Sequence, residues 1–126
     1  MSAQSPEMQP IEKFVYDNSE SSNSSTEVFV GLRCYSIFML MHVYTKDNGL
    51  VEYSQKYYDG AQTFLKVAVE SQNPKNQEFL TNQIDRMTGL YKERFLEAKA
   101  RTGNMSDDPI ISADLQFCSG LLSPVS

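Results

Sequence analysis

Apolar residues recur by threes and fours in four separate stretches of the chain, and the breaks between them carry residues that end and start helices. Ser24-Ser25-Thr26-Glu27 has the S-x-x-E spacing, in which each side chain satisfies the other residue's free backbone N–H, and it predicts a helix over about 25–46. Asp47-Asn48-Gly49 stops it. A second helix is expected over about 50–71, with Leu50, Tyr53, Tyr57, Ala61, Phe64 and Ala68 on one stripe and Glu52, Gln55, Lys56, Asp59 and Lys66 opposite. Gln72-Asn73-Pro74 breaks the pattern, and proline fits a first helical turn, where its missing N–H would have had no partner. A third helix is therefore expected over about 74–101, with Phe79, Leu80, Ile84, Met87, Leu90, Tyr91, Phe95 and Ala98 inward. Thr102-Gly103-Asn104 ends it. Asp107-Asp108-Pro109 starts a fourth helix over about 109–122, lined by Ile111, Leu115, Cys118 and Leu122.

No stretch alternates at the period of a strand, so the fold class is all-α. Four helices joined by short connections must turn back on themselves, which gives a single up-down-up-down four-helix bundle over 25–122. Residues 1–24, with two prolines and the tract DNSESSNSS, read as a flexible N-terminal arm. Within the arm, Ile11, Phe14 and Val15 share a helical face and can dock a turn or two on the body. Residues 123–126 form a tail.

The first helix contains GLRCYSIFMLMHVY and is apolar around most of its circumference, which marks it as the element the others enclose. A membrane span is the rival reading. Arg33 and His42 divide the run below about 18 uninterrupted apolar residues, and three further apolar stripes need a surface to cover, so no span is expected. At 126 residues and 40% hydrophobic content the chain can bury one sizeable core and not two. Its net charge of -5, with 11 basic residues scattered singly, lacks the footprint of a nucleic-acid binder.

Few residues in the pattern carry chemistry. His42 is the only histidine; near a helix end it suits the backbone dipole, and no second histidine exists to complete a metal set, so neither a metal site nor a cofactor is expected. Arg33 lies in the enclosed part of the first helix and cannot lose its charge, so burial obliges it to find a carboxylate. Asp114 on the fourth helix is the first candidate and Glu27 the exposed alternative; a ligand anion held by Arg33 is the functional reading. Cys34 and Cys118 lack the spacing of a metal or redox motif. Counted along the first and fourth helices, the two sulfurs can sit level, and a bond between them would close a loop of roughly 80 residues, stabilising on the order of 4 kcal/mol. In a reducing compartment the same pair would pack as two small hydrophobes.

Arg33-Cys34 early in an apolar helix, with Asp114-Leu-Gln-Phe-Cys118 near the C-terminus, resembles a pattern in small uncharacterised all-helical proteins of bacteria, particularly marine ones, and of their phages. In such proteins the pair usually follows an export signal. The first residues here, MSAQSPEMQP, carry none, so the disulfide stays open. So does localisation: periplasmic or extracellular if the chain is a mature fragment, and cytoplasmic otherwise. The resemblance implies no activity.

No HExxH, Gly-rich phosphate loop or Glu-x-x-His pair is present, and no catalytic residue is expected. The leading function class is a non-enzymatic protein that works through protein–protein interaction, self-association or an accessory structural role. The alternative is a small-molecule bundle with an internal pocket lined by Arg33, Tyr35, Tyr53, Tyr57 and Tyr91, whose phenols would need partners. An enclosed cavity lined by these tyrosines favours the ligand; a filled core with an exposed apolar patch on the second or third helix favours the interaction.

Overall fold

The computed structural model describes residues 8–17 and 24–122, with Ser24 and Ser25 described in backbone only. Its elements are α1 (Ile11–Asp17), α2 (Ser24–Asp47), α3 (Val51–Ser71), α4 (Gln77–Thr102), a 3-10 turn (Met105–Asp107) and α5 (Pro109–Leu122). The fold is all-helical, with no strand among the described residues.

α2 is the axis. It packs most extensively on α3, then on α4, and also meets α5 and α1, whereas α3 and α4 hardly touch one another. Small residues set the α2–α3 distance. A Cβ on Gly60 would lie 2.7 Å from the Phe38 ring, and one on Gly31 would lie 2.9 Å from the Phe64 carbonyl oxygen. Ala61 and Ala68 are fully enclosed beside these contacts. The main core gathers Ile11, Cys34, Ile37, Phe38, Phe64, Tyr91, Phe95, Ile111 and Cys118 from five helices. A second cluster joins Val28 and Leu32 to Ala68, Leu80 and Met87.

Several boundaries and faces differ from the sequence reading. α4 starts at Gln77 rather than at Pro74: the Asn73–Pro74 peptide is cis, and Asn76 caps the helix by accepting from the Phe79 N–H at 3.0 Å. On α3 the buried face runs through Ser54, Gly60, Ala61, Phe64 and Ala68, while Leu50 and Tyr53 lie outside it, at 45% and 58% exposure. Phe79, expected inward, is 46% exposed, and Leu122 also lies largely outside. The Ser24 half of the expected reciprocal cap falls outside the described side chains; Glu27 accepts from Ser71 Oγ at 2.9 Å.

Within the segment expected to be a flexible arm, Ile11–Asp17 is helical and Ile11 is fully buried, so this part belongs to the body's core. The remainder, 1–7 and 18–23, lies outside the described residues, as does the tail. Thr26–Asp47 is 22 residues long with a mean hydropathy of 1.4, enough by length and composition to cross a membrane. The charge of Arg33 therefore does not settle the question as the sequence suggested. In this fold 56% of the apolar window is buried by the other helices.

Candidate functional site

Two buried polar side chains, Arg33 and Tyr91, converge on Asp114. Arg33, on α2, donates from Nη2 to Asp114 Oδ2 at 2.5 Å and from Nε to the Tyr91 hydroxyl oxygen at 2.6 Å. Tyr91, on α4, donates its hydroxyl hydrogen bond to Asp114 Oδ2 at 2.5 Å. The other oxygen, Oδ1, accepts the Ile11 backbone N–H at 2.8 Å. Ile11 opens α1, and its N–H has no partner within that helix, so Asp114 on α5 caps a helix distant in sequence. The Gln9 carbonyl accepts from Arg33 Nη2 at 2.9 Å and completes the tie to the N-terminal segment. Asp114 and Tyr91 are fully enclosed and Arg33 is 4% exposed. The guanidinium also sits 5.2 Å from the Tyr91 ring centroid and 5.5 Å from that of Phe29. A charge pair this deep is tolerated because nearly every donor and acceptor is matched.

The hub joins Arg33, Asp114 and Tyr91 of the residues the sequence singled out. The sulfurs of Cys34 and Cys118 lie 2.09 Å apart with Cα atoms at 5.6 Å, a pair at disulfide distance between α2 and α5, one residue beyond Arg33 and one turn beyond Asp114. Both cysteines are fully buried. Among the described residues, the tyrosines expected to line one pocket sit in different surroundings. Tyr53 lies mostly in solvent, Tyr57 packs edge-on to Phe38 at 5.2 Å, and the Tyr91 hydroxyl is consumed by the hub. Tyr35 is half-buried against the main core. His42 serves the α2–α3 corner, its Nδ1 lying 3.0 Å from the Ser54 carbonyl oxygen and 2.9 Å from Ser54 Oγ. Among the described residues no three His, Cys, Asp or Glu side chains group as metal ligands do.

A second buried ion pair was missed by the sequence reading. Arg94 donates from Nε to Asp108 Oδ2 at 3.0 Å and lies 2.9 Å from Oδ1 through Nη2, while Asp108 Oδ2 also accepts the Ile111 N–H at 2.9 Å. One carboxylate thus caps α5 and ties it to α4. A signal existed: Met87, Tyr91, Arg94 and Ala98 follow the inward rhythm of α4, which places Arg94 on the buried side.

Burial holds the Tyr91 phenol well above its ordinary range, and the charge of Asp114 adds to the effect. In the unfolded chain the phenol ionises near about pH 10. Above that pH the unfolded state binds fewer protons than the folded one, so stability falls as pH rises. Urea unfolding at pH 9 and pH 11, roughly either side of the free phenol's pKa, should show this loss. Tyr91→Phe should flatten it where exposed Tyr53→Phe does not; equal slopes in the two variants would contradict the assignment.

Comparison with protein-family models, with curated proteins and with solved structures found no match.

Proposed function

We propose that the chain is a non-enzymatic interaction protein that presents an apolar face between α3 and α4 to a helix of a partner protein or of a second copy. The observation carrying this reading is the groove left because α3 and α4 flank α2 without closing on each other. It holds about 630 Å³, and its apolar walls are Leu65 and Val69 from α3 and Leu80 and Ile84 from α4. Of these, Val69 is exposed at 42%. A groove between two splayed helices, with apolar residues on its walls and rim, suits an amphipathic helix laid along it. We infer further that α2, α3, α4 and α5 run up-down-up-down, as a splayed bundle with this side open, and that α2 is its core helix rather than a membrane span. The non-enzymatic reading is supported by the hub, whose acid, phenol and most of whose guanidinium are spent on one another. The acidic charge and scattered cations leave nucleic acid an unfavoured partner.

Val69→Glu with Thr81→Glu tests the reading without entering the core, since both residues line the groove and are exposed. Each charge carried into an apolar interface costs on the order of 2 kcal/mol or more, roughly a 30-fold loss of affinity. Sedimentation velocity should show self-association, or capture from the native source followed by mass spectrometry a specific partner. Either should be lost in the variant, whose circular dichroism stays helical. A wild type that is monomeric and captures the same proteins as the variant would refute the groove.

A further inference from the structure

On the opposite flank of α4 a different cleft meets the hub. Of the Arg33 nitrogens, Nε and Nη2 are committed, whereas Nη1 has no hydrogen-bond partner among the described residues. Arg33 lines a cleft of about 150 Å³ between α2, α4 and the N-terminal segment, together with Gln83, Arg86, Met8, Phe29 and Leu90. Among the described residues its lining contains two guanidinium groups and one side-chain amide, and no carboxylate. Asp114 offsets the charge of Arg33 from behind. Arg86 is exposed and has no ion pair among the described residues, so the cleft carries about one uncompensated positive charge. A second cleft of about 280 Å³ adjoins it, sharing Phe29, Gln83 and Met87 as walls, and is lined further by Val28, Leu32 and Phe79, with no charged residue among the described lining residues.

We propose that these two adjoining clefts together bind a small amphipathic carboxylate, with its head between Arg33 Nη1, Gln83 and Arg86 and its apolar tail along Phe29, Leu32 and Phe79. The two halves match the two halves of such a molecule. A guanidinium N–H left free on an arginine that is otherwise almost wholly buried is a charge-assisted donor to an anion. One uncompensated cation suits a monoanion. Combined, the clefts reach the lower end of the range of small-molecule sites, about 300–1,000 Å³. Arg33 is pre-set by the hub, so binding orders little that is not already ordered. Met8 and Phe14, the latter stacked on Phe29 at 4.0 Å between centroids, form the roof, so the hub that fixes the N-terminal segment also fixes the cleft.

The test uses the full chain, labelled with nitrogen-15, and octanoate as probe. Octanoate should give saturable shifts at the Gln83 side-chain amide and at the backbone amides of Phe29 and Arg86. Arg86→Gln, a surface change that keeps the fold by circular dichroism, should weaken binding by about tenfold through loss of one charge-assisted contact. Phe79→Ala should weaken it through the tail, and 1-octanol, which keeps the tail and lacks the charge, should bind about tenfold more weakly than octanoate or worse. Absence of a saturable shift at these positions, equal affinity for 1-octanol, or an unchanged Kd in Arg86→Gln would each overturn the proposal.

Discussion

Asp114→Ala is expected to destabilise the protein by about 3–5 kcal/mol, and Arg33→Ala by a similar amount. Removing the carboxylate strands the Arg33 guanidinium at 4% exposure, leaves the Tyr91 hydroxyl without its acceptor, and uncaps Ile11. Against a total stability of about 5–15 kcal/mol for a domain, that is a large fraction. Lys13→Ala, which breaks the exposed Lys13–Asp17 pair, should change stability by less than about 1 kcal/mol. Urea midpoints at constant slope measure all three, and a loss in Asp114→Ala no larger than in Lys13→Ala would remove the hub from the fold's energetics. The double change Arg33→Met with Asp114→Leu sharpens the test. If the single losses come mainly from stranded charge, the double variant should be more stable than either single one.

Local signals in the sequence located most of the elements, because helix ends are written in residues adjacent to them. Gly49 and Gly103 close α2 and α4, and Asp108 opens α5. Faces were harder to read. On α3 the expected stripe holds at Ala61, Phe64 and Ala68, but at its start the large residues Leu50 and Tyr53 drew it toward themselves, whereas the buried face there runs through the small residues Ser54 and Gly60. Close helix approach rewards absence of bulk, and a search for large apolar residues looks away from it. The start of α4 was misplaced for a related reason: Pro74 suits a first helical turn, and its cis peptide is a property of the whole connection rather than of the residue.

Of the site, the pairing of Arg33 with a carboxylate was legible because an arginine inside an apolar helix has few ways to remain charged. That Asp114 would also cap α1, and that Tyr91 would bridge the pair, depends on where α1, α4 and α5 meet, which no local pattern records. Arg86 and Gln83 show the same limit. They lie off the inward stripe expected for α4, and only the placement of Phe29, Arg33 and Met8 beside them makes a cleft.

Replacing both Cys34 and Cys118 with alanine should lower stability on the order of 4 kcal/mol while leaving a helical protein. The bond spans a sequence separation of 84, so its removal restores much conformational freedom to the unfolded chain. The core around it persists: Ile37, Phe38, Phe64, Tyr91 and Ile111 stay buried without the sulfurs, and both ion pairs still hold α5. Serine in place of alanine should cost about 1–3 kcal/mol more, since each hydroxyl would enter a fully buried site without an assured partner. Because both cysteines are enclosed, a dithiol reductant should act on the native protein only as fast as α5 opens, and reduction should accelerate in Asp114→Ala, where α5 loses its tie to Arg33 and Ile11. Thiol counting on unfolded, unreduced material decides the matter directly. Two free thiols in protein matured in an oxidising compartment would show that the pair is packed rather than bonded, and the stability loss in the alanine variant should then shrink to that of two small cavities.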